Sequence, residues 1–400
     1  MSVFATQVGC ANPSADTDTD SGGGTSETDS ETTDAETSET GEVTTEGETD
    51  TDAGTDTDGE MDFPPVTEPG PYHVGYRNFE VVYTPIGETE ARTLEVATWY
   101  PTDESSGSAS VYAGLVTRED VWLGAAPTAD NDLPVLLFSH GNGGLAEQSY
   151  PLTEFFASHG WVVISPNHTG NTIVDIDEAL LPKMVVWRPQ DMIASYEAII
   201  GEGAQDPLTG KLGEELAVMG HSFGGYTSLV LAGGSFDLAG LDAECEADPE
   251  SLACTGIDPE LATQLADPRV DVAIPLTPGP AFVFGVDDAG GVADVDVPVM
   301  LMTSVLDETT PDNTDGDPIW SSLDGSEDRR VEFLTGGHFT FSIACDFDFI
   351  SGDGCGDTFI PAEEAFPIAA AYSLAFARTH LWGDGSVADL LAGEVVLSDE

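Results

Sequence analysis

Residues 215–232 read ELAVMGHSFGGYTSLVLA, and this segment decides the fold. An apolar run typical of a buried strand leads into Gly220-His221-Ser222-Phe223-Gly224, and a helix-forming run follows. A G-x-S-x-G sequence between a strand and a helix is typical of a nucleophile elbow, a sharp turn that exposes a strained serine. We therefore predict Ser222 as a nucleophile, with a purely structural turn as the alternative.

A second glycine-rich segment, FSHGNGG at residues 138–144, lies upstream and directly follows the apolar run LPVLL. Acyl transfer builds negative charge on a carbonyl oxygen, so catalysis needs backbone N–H donors already aimed at that oxygen. A loop of this kind supplies one donor and the residue after the nucleophile supplies the other. We predict the amides of Asn142 and Phe223 as this oxyanion hole. An ordinary turn is the alternative for 138–144.

A nucleophilic serine needs a base and an acid, which in this motif follow it in the order acid, base. Only His338 and His380 lie downstream of Ser222. His338, in GGHFTF just past the last predicted strand, is the predicted base, whereas His380 is read as packing or surface. Asp307, after the apolar run VPVMLMTSVL, is the predicted acid. The competing carboxylates are Glu308, Asp312, Asp271 and Asp287.

Outward from the elbow, apolar β-branched runs alternate with helical stretches, which predicts an α/β fold with a mainly parallel, eight-stranded sheet flanked by helices. The predicted strands are 79–84, 93–100, 133–139, 161–165, 215–220, 270–276, 297–304 and 331–336. The first two are read as an antiparallel hairpin at one edge. The predicted helices are 145–159, 188–202, 224–233 and 362–382.

Four of the five cysteines form two close pairs in the sequence, Cys245 with Cys254 and Cys345 with Cys355. Such pairs suit disulfides in an oxidising compartment, with buried free thiols as the alternative. The first pair lies in an insertion at about 234–268, after the elbow helix. We expect this insertion to be a disulfide-stapled cap that shapes the substrate site.

Residues 16–62 consist almost entirely of Thr, Asp, Glu, Ser and Gly, with 18 acidic residues and no Lys or Arg. A segment with so few apolar groups cannot offset the entropy of ordering, so residues 1–70 are predicted to be a leader remnant followed by a disordered tether. Residues 71–400 form the predicted folded domain. This domain is itself acidic, because the chain outside 16–62 carries a formal charge of −46. Nucleic acid is therefore not an expected partner.

Gly9-Cys10 directly before the acidic tether resembles the processing site of bacterial lipoproteins, which predicts a lipid anchor at Cys10. The alternative is an accidental match, because residues 1–9 contain no basic residue. No segment has the length and hydropathy of a transmembrane helix. We expect a secreted, periplasmic or surface-tethered protein.

The remaining histidines and acidic loops do not predict a metal site or a cofactor. No metal-ligand spacing links the histidines, and DETTPDNTDGD and DFDFISGDGCGD do not match the twelve-residue calcium loop. His140 and His221 flank the predicted donors and are expected to brace their loops through hydrogen bonds. His168 is expected to line the cleft.

The chain also resembles a known group of enzymes through a set of motifs in a fixed order. These are FSHGNGG, SHGWVVISPNHTGN, WRPQDM, GHSFGGYTSL, DPRVDVAIPL and GGHFTFS. Over residues 75–380 they resemble the platelet-activating factor acetylhydrolase and predicted dienelactone hydrolase group of α/β-hydrolases. The resemblance implies cofactor-free hydrolysis of short or oxidised acyl esters through an acyl-enzyme on Ser222.

Two departures from this group bear on the residues and the substrate. Dienelactone hydrolases have a cysteine at the elbow, where this chain has Ser222. The animal acetylhydrolases carry the acid after the sixth strand, where this chain has AIPLTPGP without a carboxylate, and this favours Asp307. A polyester hydrolase or lipase is the next prediction, then an amidase. The alternative from another class is a catalytically silent fold that acts as a surface binding protein.

Overall fold

The computed structural model describes residues 63–285, 288–347, 352–395 and 397. Most of the predicted tether, Cys10 and the competing carboxylate Asp287 lie outside the described residues. From Phe63 onward the chain packs on the domain: the Phe63 ring stacks on Trp382, and the Pro64 carbonyl accepts a hydrogen bond from Arg378. The described part of the domain therefore begins ahead of residue 71.

The described residues form one ten-stranded sheet. Its strands are β1 (His73–Tyr83), β2 (Arg92–Thr102), β3 (Ala109–Tyr112), β4 (Val116–Leu123), β5 (Leu133–Ser139), β6 (Val162–Pro166), β7 (Leu212–His221), β8 (Val272–Leu276), β9 (Met300–Ser304) and β10 (Arg329–Phe333). Their order across the sheet is β10-β9-β8-β7-β5-β6-β2-β1-β4-β3. The six strands from β10 to β6 are parallel, as expected for strands connected by helices.

The predicted α/β class and mainly parallel sheet are confirmed, and each of the eight predicted strands has a counterpart. Two strands were missed, β3 and β4. They pair as an antiparallel hairpin, and β4 pairs in parallel with β1, so β3 is the edge strand instead of the β1–β2 hairpin. The charged run Arg118-Glu119-Asp120 within β4 interrupts the alternation of apolar and polar residues from which strands are predicted. One face of this edge region is in solvent, which removes the need for apolar side chains there.

The described residues form eight α-helices, of which four connect strands, two lie in the insertion and two follow the last strand. They are α1 (Tyr150–Ser158), α2 (Leu181–Ile200), α3 (Phe223–Leu231), α4 (Leu238–Ala247), α5 (Pro259–Ala262), α6 (Gly316–Ser322), α7 (Ala362–Trp382) and α8 (Ala388–Leu391). Helix α7 has the predicted bounds. Helix α2 begins seven residues before the predicted start because it continues through Pro189, a residue that usually ends or kinks a helix.

The core lies on both faces of the sheet, and the central strand β5 contributes apolar side chains to each face. Leu133, Val135 and Leu137 belong to the core cluster with α2 and α3, whereas Leu136 and Phe138 belong to the cluster with α1 and α7. Side chains alternate between the faces of a strand, so a strand covered on both sides is apolar throughout. Each large side chain buried here contributes about 1.5–3 kcal/mol.

Both predicted cysteine pairs are disulfides, Cys245–Cys254 and Cys345–Cys355. The first staples the insertion that carries α4 and α5. Leu241, Ile257 and Leu265 of this insertion are buried in the core cluster beside α2 and α3. No helix among the described residues is long and apolar enough to cross a membrane.

Candidate functional site

Ser222 lies in the turn between β7 and α3, at the carboxyl end of the parallel sheet. Its backbone has φ 56° and ψ −119°, a conformation that a residue with a side chain rarely adopts. The flanking glycines make the turn possible. A Cβ at Gly220 would lie 2.2 Å from the Gly224 carbonyl oxygen, and one at Gly224 would lie 1.8 Å from that of Ser139. The predicted elbow geometry is therefore present around Ser222.

The structure brings the predicted base and acid to this serine. His338 Nε2 lies 2.9 Å from Ser222 Oγ, and His338 Nδ1 lies 2.8 Å from Asp307 Oδ2. Asp307 follows β9 and His338 follows β10. Because these neighbouring strands are parallel, both residues lie on loops at the carboxyl end of the sheet. All three residues are buried. The hydroxyl can donate to Nε2 while Nδ1–H donates to the carboxylate, which is the arrangement of a base held in one tautomer.

The Asp307 carboxylate also accepts hydrogen bonds from the loop that follows it. The amides of Thr309 and Thr310 donate to Oδ1 at 2.8 and 2.7 Å, and Thr310 Oγ1 donates to Oδ2 at 2.9 Å. Burial by itself would raise the pKa of Asp307, but the hydrogen bonds from His338 and Thr310 and the electrostatic interaction with His338 outweigh it, so that the net direction is downward. Asp307 is therefore held as a carboxylate.

Of the predicted donors, Asn142 lies on the loop after β5 and Phe223 at the first position of α3, directly after the serine. No acceptor among the described residues is paired with either backbone amide. The first amides of a helix have no intrahelical partner and lie at the positive end of its dipole. Both amides are therefore free to bind a negatively charged oxygen.

The buried Arg188 on α2 supports both donor segments, and sequence reasoning missed this residue although it lies in the quoted WRPQDM motif. Its guanidinium donates to the His140 carbonyl and to Asn171 Oδ1, and Asn171 in turn donates to the Asn142 side chain at 2.6 Å. It also lies 4.7 Å above the Phe223 ring. Burial lowers the pKa of Arg188 to about 9, so the group is still a cation at neutral pH.

The predicted bracing role of His221 fits its contacts. His221 Nε2 donates to the His338 carbonyl at 2.7 Å, and Gln148 donates to His221 Nδ1 at 3.0 Å while accepting from the Gly141 amide. Burial lowers the pKa of His221 to about 3, so the ring is neutral. Gln148 was missed, since nothing in its sequence neighbourhood distinguishes it.

His140 braces its own loop, but the expectation for His168 was wrong. His140 Nδ1 donates to the Gly141 carbonyl, and its Nε2 accepts from the His168 amide. His168 is fully buried between Ser139 and Asp191, to which Nδ1 donates at 2.9 Å, and it does not line the cleft. Burial lowers the pKa of both rings well below the ordinary value.

The cleft above Ser222 encloses about 150 Å³. Its wall includes an unpredicted part, the β3–β4 turn with Tyr112, Leu115 and Val116. The described residues of the insertion do not line this cleft and instead line a second cavity beside α2. The other large apolar wall residues are Leu145, Ile173, Phe339, Ile343 and Phe347.

One group of side chains in the described residues has the spacing of a metal site, namely Asp307, His338 and Asp353, whose ligand atoms lie within 4.8 Å of one another. The oxygens and the ring nitrogen already have protein partners. His338 Nδ1 faces Asp307, and Asp353 Oδ1 accepts from the His338 amide. The contacts of this group favour the hydrogen-bonded arrangement over a metal centre.

Comparisons with known proteins agree with this architecture. A family model described as Chlorophyllase matches residues 116–266, a region that includes Ser222 but ends before Asp307 and His338. A solved structure of a ferulic acid esterase from Streptomyces cinnamoneus has a TM-score of 0.55 and 21% identity, over 80% of this chain and 93% of that one. No curated protein matches the chain.

Proposed function

We propose that this chain, which has the α/β-hydrolase fold, is a serine hydrolase of carboxylic esters. The observation that carries the proposal is the chain of hydrogen bonds from Ser222 through His338 to Asp307, together with two unpaired amides beside the serine. The likenesses to the Chlorophyllase model and to a ferulic acid esterase support ester bonds as the substrate class.

In the proposed mechanism, Ser222 Oγ attacks the ester carbonyl carbon while His338 Nε2 takes the hydroxyl proton. Asp307 stabilises the imidazolium that forms. The amides of Asn142 and Phe223 bind the oxyanion of the tetrahedral intermediate, and each such donor is typically worth about 10²–10³ in kcat.

The intermediate then collapses to an acyl-enzyme. The C–O bond to the alcohol breaks, and His338 returns its proton to the leaving alkoxide. Water then attacks the acyl-enzyme: His338 takes one proton from the water, and the water oxygen bonds to the acyl carbon. The bond from the acyl carbon to Ser222 Oγ breaks, and His338 returns the proton to Ser222 Oγ, which leaves a free carboxylic acid and the neutral serine. No cofactor is needed for these steps.

We further propose that the substrate is an ester with a short, uncharged acyl group, similar to the esters of the platelet-activating factor acetylhydrolase group. A cleft of about 150 Å³ is small for a drug-sized ligand, which usually needs at least about 300 Å³. Its apolar wall and the acidic domain disfavour anionic substrates. Two disulfides support an extracytoplasmic location.

A polyester hydrolase or lipase is the second candidate, and exposed apolar side chains favour it. Leu115 and Ile173 line the cleft and are 67% and 50% exposed, and the neighbouring Val174 is 82% exposed. Apolar surface at the mouth of a site suits a large or insoluble ester. An ester panel with acyl chains from acetate upward, together with a polyester film, separates the two candidates.

The function itself is tested with a fluorophosphonate probe and p-nitrophenyl acetate. Ser222→Ala should lose both labelling and turnover, and Asp307→Asn and His338→Gln should lose most turnover. Glu308→Gln and His380→Gln are the matched controls and should keep wild-type rates. Full activity in Ser222→Ala would show that Ser222 is not the nucleophile. Absence of labelling in a folded wild-type protein that binds cells or polymers would favour the silent binding protein.

A further inference from the structure

Asp353 lies in the loop closed by the Cys345–Cys355 disulfide, and it contacts both loops that carry the proposed acid and base. Its Oδ1 accepts hydrogen bonds from the backbone amides of His338 at 2.9 Å and Glu308 at 3.0 Å. Its Oδ2 accepts from Thr309 Oγ1, and its own carbonyl accepts from the Phe339 amide at 2.8 Å. One side chain therefore joins the 307–310 loop to the 338–339 loop.

The backbone at this point is held in an unusual conformation against the base loop. Asp353 has a φ of 44°, in the left-handed region that disfavours residues with side chains. A Cβ at Gly337 would lie 2.3 Å from the Gly354 nitrogen, so the two backbones are in direct contact. The disulfide brings the Cα of Cys355 to 5.1 Å from that of Cys345, which follows the His338 segment by only a few residues. The cross-link thus anchors the strained segment at its carboxyl side.

We propose that Asp353 is a positioning residue for the His338–Asp307 pair and that the Cys345–Cys355 disulfide holds it in place. This inference rests on the proposed function, because it concerns the geometry of the same base and acid. The carboxylate does not touch the reacting atoms. It acts through the backbone amides that orient His338 and the loop behind Asp307. A misplacement of about 1 Å in such a pair lowers turnover by about 10²-fold.

On this basis, reduction of one of the two disulfides among the described residues should lower turnover. A dithiol supplies two electrons and two protons and becomes a cyclic disulfide. The Cys345–Cys355 S–S bond breaks to two thiols, and the segment around Asp353 loses its cross-link. The Cys245–Cys254 disulfide lies in the insertion, whose described residues do not line the cleft.

The first experiment compares Asp353→Ala, Asp353→Asn and the control Asp357→Ala, an exposed carboxylate in the same region. Asp353→Ala should lower kcat by about 10- to 100-fold with KM changed less than about threefold. Asp353→Asn keeps one oxygen that can accept from the two amides, so it should recover part of the loss. Asp357→Ala should match wild type. An Asp353→Ala enzyme with kcat within twofold of wild type overturns the proposal.

The second experiment removes each disulfide in turn, as Cys345→Ser/Cys355→Ser and as Cys245→Ser/Cys254→Ser. Only the first pair should lower kcat, and only wild type and the second pair should lose turnover when treated with dithiothreitol. Equal losses in the two double variants, with unfolding temperatures lowered alike, would assign the effect to general stability and reject the proposal.

Hydrogen exchange provides a readout that does not depend on ester turnover. The amides of Glu308 and His338, which donate to the Asp353 carboxylate, should exchange faster in Asp353→Ala than in wild type, while amides of α3 and α7 stay protected. If wild type has no esterase activity, the proposed function fails, but faster exchange at these two amides would still support the positioning role. Unchanged exchange there in folded Asp353→Ala would overturn it, whether or not the enzyme is active.

Discussion

Arg188 lies fully buried between the two segments that carry the proposed oxyanion donors. It binds the His140 carbonyl and Asn171 on one side and stacks on Phe223 on the other. A planar guanidinium can make these contacts together, whereas the ammonium of lysine is a point charge that cannot stack in the same way. At the scale of single residues, Arg188 is therefore the common support of both donors.

We expect Arg188→Lys to lower kcat by about 10-fold and Arg188→Met by about 100-fold, with smaller changes in KM. Since one oxyanion donor is worth about 10²–10³ in kcat, partial displacement of two donors accounts for losses of this size. Steady-state kinetics on p-nitrophenyl acetate measure them, alongside circular dichroism to establish folding. A folded Arg188→Met enzyme with wild-type kcat would contradict the role.

The residues that sequence analysis singled out are those with a local signature or a required order. The elbow motif marks Ser222, the glycine loop marks Asn142, and chain order leaves few alternatives to His338. Arg188 and Asp353 escaped because their roles depend on contacts with segments 48 and 15 residues away. No local pattern encodes such a contact, although Arg188 lies in the motif WRPQDM.

At the scale of elements, the β3–β4 hairpin is the main departure from the predicted architecture. It extends the sheet beyond β1 and places Ala113 and Leu115 of its turn, together with Val116 at the start of β4, along the cleft. Alternating hydropathy could not reveal it, since Arg118, Glu119 and Asp120 interrupt the apolar residues of β4. The buried parallel strands, in contrast, are continuous apolar runs and were predictable.

The exposed Leu115 on this hairpin should contribute to binding of longer acyl groups. We expect Leu115→Ser to lower kcat/KM for octanoate esters about fivefold more than for acetate esters, because partial burial of a leucine is worth about 1 kcal/mol. Val82→Ser, at an exposed valine on β1, is the control. Equal losses on acetate and octanoate esters would show that the hairpin does not contact the acyl chain.

At the scale of the whole molecule, buried neutral histidines link stability to pH. The pKa of His221 is about 3 in the folded protein, because burial disfavours the charged ring, and about 6.5 in the unfolded chain. Between these values the unfolded state binds more protons. The contribution of His221 is complete above pH 6.5 and is lost as pH falls toward 3.

Urea unfolding at pH values from 7.5 to 4.5 should therefore show a steeper loss of unfolding free energy in wild type than in His221→Gln. The difference in slope should approach about 1.4 kcal/mol per pH unit below pH 6.5. The exposed His73→Gln is the control and should keep the wild-type slope. All titrations need one ionic strength, because salt screens the repulsion within so acidic a domain. Parallel slopes for wild type and His221→Gln would contradict the prediction.

The placement of the β3–β4 hairpin has a consequence for how the proposed substrate site can be diversified. Ser222, Asp307 and His338 are held by β7, β9 and β10, whereas one wall of the cleft comes from the opposite edge of the sheet. Edge hairpins tolerate replacement more readily than central parallel strands, since fewer neighbours depend on them. Tyr112 and Val121 of the hairpin belong to the core, whereas residues 113–115 are exposed. Libraries restricted to residues 113–115 should therefore change substrate choice while leaving the reaction chemistry intact, which makes this turn an exchangeable specificity module.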